Sequence, residues 1–148
     1  MMTRTNDAAL LVARLALAAL FLPSGIAKLS NLGGFTAMLA GKGVPFPDLF
    51  ALLGAAAETV GPVALILGVA PRLTAVLLIG FTLIASLLSH SFWTFPDLSQ
   101  AAQQRTQFLK NMAIVGGLLF YFVSGAGAFS LPGILRGRPS HEGAPARA

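Results

Sequence analysis

The chain has 148 residues, 55% of them hydrophobic and only 10% charged. A soluble domain carries about 25% charged residues, so this composition excludes a water-soluble globule and points to an integral membrane protein. The net charge of +5 is scattered over helix ends and the tail, with no basic stripe interleaved with aromatics, which excludes a nucleic-acid binder. Cysteine is absent, which excludes disulfides, thiol redox chemistry and Cys-held metal or iron–sulfur centres.

Residues 1–7 form a polar lead containing Arg4. Residues 8–29 are then apolar except for Arg14, Ser24 and Lys28, long enough at 1.5 Å per residue to be a first transmembrane helix. A cleavable signal peptide is the competing reading, but its apolar core would be uninterrupted, and here Arg14 interrupts it. A retained helix is therefore expected. Residues 30–47 hold the breakers Gly33, Gly34, Gly41, Gly43, Pro45 and Pro47 and read as a loop, with a short interfacial helix over 35–40.

The second span runs over 48–68, with Asp48 placed to cap it and Pro62 inside it. Gly54, Ala57, Gly61 and Ala64 recur at spacings of three and four, so a neighbouring helix is able to approach closely. A turn at Ala70-Pro71-Arg72 leads to a third span over 73–93, ending in His90, Phe92 and Trp93. The polar stretch 94–107 reads as a loop. A fourth span opens near Phe108 with Lys110-Asn111 and runs towards Phe129, and residues 132–148 read as a disordered tail. The expected fold is all-α, an integral-membrane four-helix antiparallel bundle. Loops and tails on the side of the termini hold Arg4, Arg72, Arg136, Arg138 and Arg147, against Lys42 and Arg105 opposite, so both termini are expected in the cytoplasm.

Glu58 lies ten residues into the second span, about 15 Å from its start and near the midplane. A carboxylate at that depth costs several kcal/mol unless it is paired, protonated or wetted, so it must face other helices. Arg14 is expected to extend towards it as a pair. Lys28, fourteen positions on, returns to nearly the same face of the first helix, with Phe21 and Gly25 between. Lys28, His90, Trp93, Lys110 and Asn111 are thus expected around one polar pocket with Glu58 as its floor. Plainer readings stand beside this one. Arg14 with Glu58 reads equally as a structural ion pair, Lys28 and Lys110 as lysines reaching for headgroups, His90 as a solvated side chain and Trp93 as an interfacial belt residue. One histidine within the spans holds no haem by paired imidazoles, no metal site is expected, and no flavin motif is visible.

The first helix ALLVARLALAALFLPSGIAKL, Glu58 followed by Gly61 and Gly68, HSFW at 90–93, and FLKNMAIVGGLLFYFVSGAGAFSL over 108–131 together resemble the DoxX family of small bacterial membrane proteins. The resemblance covers roughly residues 8–131 and implies a four-helix protein of the bacterial inner membrane. It also implies association with quinone-linked membrane oxidoreductases. A quinone would take donors from Lys28, His90, Lys110 or Asn111, with Glu58 and His90 as proton relay candidates and Arg14 and Trp93 as further ligand-binding candidates. Electrons would come from a redox partner subunit, and a homo-oligomer is compatible with the pattern. The alternative is a non-catalytic scaffold or small-ligand and lipid-binding protein with a structural Arg14–Glu58 pair. A proton-coupled transporter is the weakest option, since no broken-helix pair or inverted repeat is visible.

Overall fold

A computed structural model describes residues 4–135. Its helices are α1 (Arg4–Ser30), α2 (Leu32–Gly41), α3 (Pro47–Leu67), α4 (Pro71–Ser89), α5 (Leu98–Ser124) and α6 (Leu131–Leu135), with one 3-10 turn at Phe92–Thr94. Among the described residues α1, α3, α4 and α5 are long and apolar enough to cross a membrane, and no strand is present. The all-α four-helix arrangement read from the sequence is the arrangement found.

Several boundaries differ, each for a local reason. The lead is not a separate segment: α1 begins at Arg4, and Asp7 in its first turn is buried, accepting the Ala128 backbone N–H at 2.8 Å. The stretch after Thr94 is not a loop either. Asp97 caps α5 by accepting from Gln100 N–H at 2.8 Å, and the Ala- and Gln-rich run that follows favours helix whatever its polarity. At its far end α5 stops at Ser124, because Gly125 turns to φ 73°. The expected tail is helical at its start, where Ser130 Oγ accepts Gly133 N–H at 3.2 Å and opens α6. The disorder expected further on falls on residues 136–148, which lie outside the described residues. The interfacial helix is longer than expected, since Asn31 caps it through Gly34 N–H at 3.0 Å.

The Asp97 cap makes a pH prediction. Hydrogen bonds from Gln100 N–H and the Ser99 hydroxyl hold its carboxyl below the usual carboxylate range. A lowered folded-state pKa contributes stability that is present above the unfolded value, near 3.9, and is lost as pH falls through the folded value. Amide exchange in the first turn of α5 should therefore quicken as pH drops below about 4, after correction for intrinsic rates, and Asp97→Asn should flatten the response. Equal pH profiles for the two proteins would remove Asp97 as the cause.

The helices pack as two pairs. The most extensive contacts are α1 on α3 and α4 on α5; α3 meets α4, α2 lies over α3, and α1 touches α5 only slightly. Phe21, Leu65, Ala75, Leu78, Ile114, Leu118 and Tyr121 form the core between them. On α1 the buried stripe is Asp7, Arg14, Ala18, Phe21 and Gly25, the heptad-like spacing of a helix lying along a neighbour. Pro62 lacks an N–H, so the Glu58 carbonyl four residues earlier has no helical partner. Gly25 meets α3 at that point. A Cβ on Gly25 would overlap the Glu58 carbonyl and come within 2.8 Å of Thr59 Cγ2, so any larger residue would push α1 away from α3.

Candidate functional site: a polar chamber inside the bundle

The close approach at Gly25 decides which base meets Glu58. Lys28 lies one turn further along the same face of α1, so its ammonium reaches the Glu58 carboxylate directly and forms an ion pair with Oε2. The same Nζ donates to Ser24 Oγ at 3.0 Å and stands 5.1 Å from the Phe35 ring centroid. Glu58 retains 8% side-chain exposure and Lys28 25%, so the pair is mostly removed from solvent but not sealed.

Arg14 is not the partner of Glu58. It is 1% exposed, and its guanidinium donates to the Phe129 carbonyl and, at 3.5 Å, to the Ile66 carbonyl. The physical reason is direction. Arg14 lies nearly three turns inside α1 from the end where α3 and α5 finish, and the carbonyls exposed there by the α3 terminus and the 125–130 loop are nearer than a carboxylate at mid-depth.

Around the pair is a chamber of about 260 Å³, lined by side chains of α1, α3, α4 and α5 that include Lys28, Glu58, His90, Lys110 and Asn111. Its volume equals roughly nine waters of bulk liquid, room for one substituted six-membered ring. Five of the expected site residues therefore share one space, and Glu58 and His90 face the same cavity. Trp93 does not line it: the side chain is 57% exposed and sits edge-on to Phe92 and Phe108, at centroid distances of 5.0 and 5.9 Å. Arg14 does not line it either.

Residues not singled out from the sequence orient the chamber wall. Thr82 Oγ donates to the Leu78 carbonyl at 2.7 Å, and Ser86 Oγ donates to the Thr82 carbonyl at 2.6 Å. With its proton committed, the Ser86 oxygen is left to accept, and Asn111 Nδ2 donates to it at 2.9 Å, tying α5 to α4. His90 Nδ1 lies 2.8 Å from Gln104 Oε1. Because a carboxamide oxygen only accepts, Nδ1 carries the hydrogen in this orientation. Lys110 donates to Gln107. The signal that was available is the four-residue step Thr74, Thr82, Ser86, His90, with Leu78 completing it, which places hydroxyls and imidazole along one face of α4.

Chemically, the chamber offers ammonium, imidazole and amide groups around a single carboxylate already engaged by Lys28. It suits a small polar ligand that accepts hydrogen bonds and exchanges a proton.

Four membrane-length helices arranged around such a chamber define a small multi-pass membrane protein with a polar site between its helices. The chain belongs to the DoxX family, whose model matches residues 9–91. That stretch contains Lys28, Glu58 and His90, whereas Lys110 and Asn111 lie on α5 beyond it. The chain is similar to inner membrane protein YphA of Escherichia coli (strain K12), with 31% identity over 122 residues covering 82% of this chain and 86% of the relative. It is also similar to inner membrane protein YqjF of the same organism, with 32% identity over 136 residues, 90% of this chain and 97% of the relative. No solved structure matches it significantly.

Proposed function

We propose that this chain is an inner-membrane protein that binds a quinone head group in the chamber, as the quinone-interacting or accessory subunit of a membrane oxidoreductase. The observation that carries the reading is the gathering of Lys28, His90, Lys110 and Asn111 around Glu58 in one partly open space of ring size. The donor set fits the group: two quinone carbonyls need hydrogen-bond donors, and reduction needs protons delivered where the electrons arrive. A bound quinone supplies a two-electron, two-proton couple. Without cysteine the chain builds no iron–sulfur centre, so the electrons come from a redox partner subunit that carries its own cofactor. Asn111 and Lys110 orient the ring oxygens, while Glu58 and His90 hold and pass protons. The inner-membrane names of the two relatives support the location.

Titration of the purified protein with a decyl-substituted benzoquinone should show saturable binding. Asn111→Leu should weaken it about tenfold, the scale of one lost hydrogen bond. A wild-type protein that never saturates would end the reading. We also place both termini in the cytoplasm, on the strength of Arg4 and Arg72 at one end of the bundle against Lys42 and Arg105 at the other. A C-terminal reporter that fluoresces only in the cytoplasm should be bright, and a dark one would invert the topology.

A further inference from the structure

A second cavity adjoins the chamber. It is an apolar groove of about 320 Å³ beneath α2, between α3 and α4, walled by residues that include Phe35, Met38, Phe50, Leu53, Ala57 and Leu88. Four residues line both spaces: Lys28, Phe81, Ala85 and Ser89. Lys28 therefore stands at a junction, its ammonium on Glu58 and 5.1 and 6.0 Å from the centroids of the Phe35 and Phe81 rings. The groove leads outward, since Met38, Phe50, Leu53 and Ile84 are 43–60% exposed on the membrane-facing side. Its floor is kept low by small residues. A Cβ on Gly54 would already meet Phe35 at 3.2 Å and Phe81 at 3.6 Å.

A polar space and an apolar groove that share a wall make complementary demands. The chamber cannot solvate hydrocarbon favourably, and the groove offers almost no partner for a polar group. We propose that the two form one site for a single-chain amphiphile, the chain being the isoprenoid tail of the quinone. The head lies against Asn111, His90 and Lys110, and the tail passes Lys28 and Phe81, runs under α2 and leaves between α3 and α4. This rests on the quinone reading above and adds the path of the tail. The shared junction favours one chain over two, because both chains of a diacyl lipid would have to pass Lys28 and Phe81 together.

The test compares two ligands on two proteins in the same detergent: a decyl-substituted benzoquinone and the same ring without the chain. The wild type should favour the tailed ligand by about tenfold or more, the effect of burying a few methylenes. In Ala57→Phe, which fills the groove, that preference should fall towards unity. Detergent partitioning is common to both proteins, so the change in ratio reports the groove. Leu53→Trp, at the exposed mouth, gives the same comparison if Ala57→Phe does not fold. A tailed probe with a terminal diazirine should label Met38, Phe50 or Leu53 in the wild type. An unchanged ratio in the variants, labelling only outside the groove, or a stoichiometric phospholipid held there in the wild type would each overturn the tail path while leaving head binding intact. Failure of both ligands to bind the wild type would instead remove the quinone reading itself.

Discussion

Replacing Glu58 with Gln should cost about 2–4 kcal/mol of stability, and replacing Lys28 with Met about as much, while the double variant should cost clearly less than either. Removing one member of a mostly buried pair strands the other charge among helices, whereas removing both removes the desolvation cost together with the attraction. The cost lies below the roughly 3–5 kcal/mol of fully buried pairs because Lys28 keeps a quarter of its exposure. In detergent this corresponds to a midpoint lowered by roughly 5–10 °C for each single variant. The reversed pair Lys28→Glu with Glu58→Lys should recover part of the loss, and Arg14→Glu with Glu58→Arg should not, since Arg14 bonds elsewhere. The same proteins separate structure from chemistry. If the Lys28→Met, Glu58→Gln double variant is stable and still supports quinone-linked turnover, the pair is a strut and proton exchange at Glu58 is wrong.

Arg14→Ala should cost about 2–4 kcal/mol, by a different route. Its guanidinium joins α1 to the ends of two other segments, through the carbonyls of Ile66 and Phe129. Both acceptors would be left unpaired, and the 125–130 loop would keep the Asp7 hydrogen bond at Ala128 and the burial of Ala126. Gly68→Ala should resemble it. Gly68 sits at φ 67°, and its added Cβ would overlap the guanidinium and come within 2.5 Å of Ser130 Cβ. The two variants share the guanidinium contact, so their combination should fall short of the sum, while the positive φ and the Ser130 overlap at Gly68 remain in both backgrounds. Faster amide exchange over 125–130 in both is the local check. Additive losses would mean that the guanidinium is not what Gly68 makes room for. Arg14→Lys should rescue little, because a single ammonium does not reproduce a planar fork directed at two carbonyls. The Arg14 Nε and Tyr121 hydroxyl, both buried and unbonded among the described residues, mark this as the least satisfied part of the core.

What was legible in the sequence was whatever hydrophobic length and helical period encode. The four spans and the α1 face carrying Arg14, Phe21, Gly25 and Lys28 follow from spacing alone. The meeting of Lys28, Glu58, His90, Lys110 and Asn111 followed from assigning depths along antiparallel helices. Depth alone points Glu58 to the wrong base, because it says how far a residue lies across the membrane and not which backbone ends lie beside it. Arg14 needs no carboxylate, because nearby α3 and 125–130 carbonyls accept from its two terminal nitrogens. The start of α5 is hidden by its polarity, which suggests a loop although Asp97 is followed by good helix formers. Ser86 was invisible for a third reason: its role depends on Asn111 from another helix, and no local pattern encodes that meeting.

The pairing of α1 with α3 and of α4 with α5 bears on biogenesis. By the time Leu67 has left the ribosome, both members of the first pair are present, and Glu58 already has Lys28 available upstream. The costly carboxylate can thus enter the bilayer neutralised, without waiting for the second half of the nascent chain. Since the chamber takes walls from both pairs, it would be complete only once the two hairpins dock.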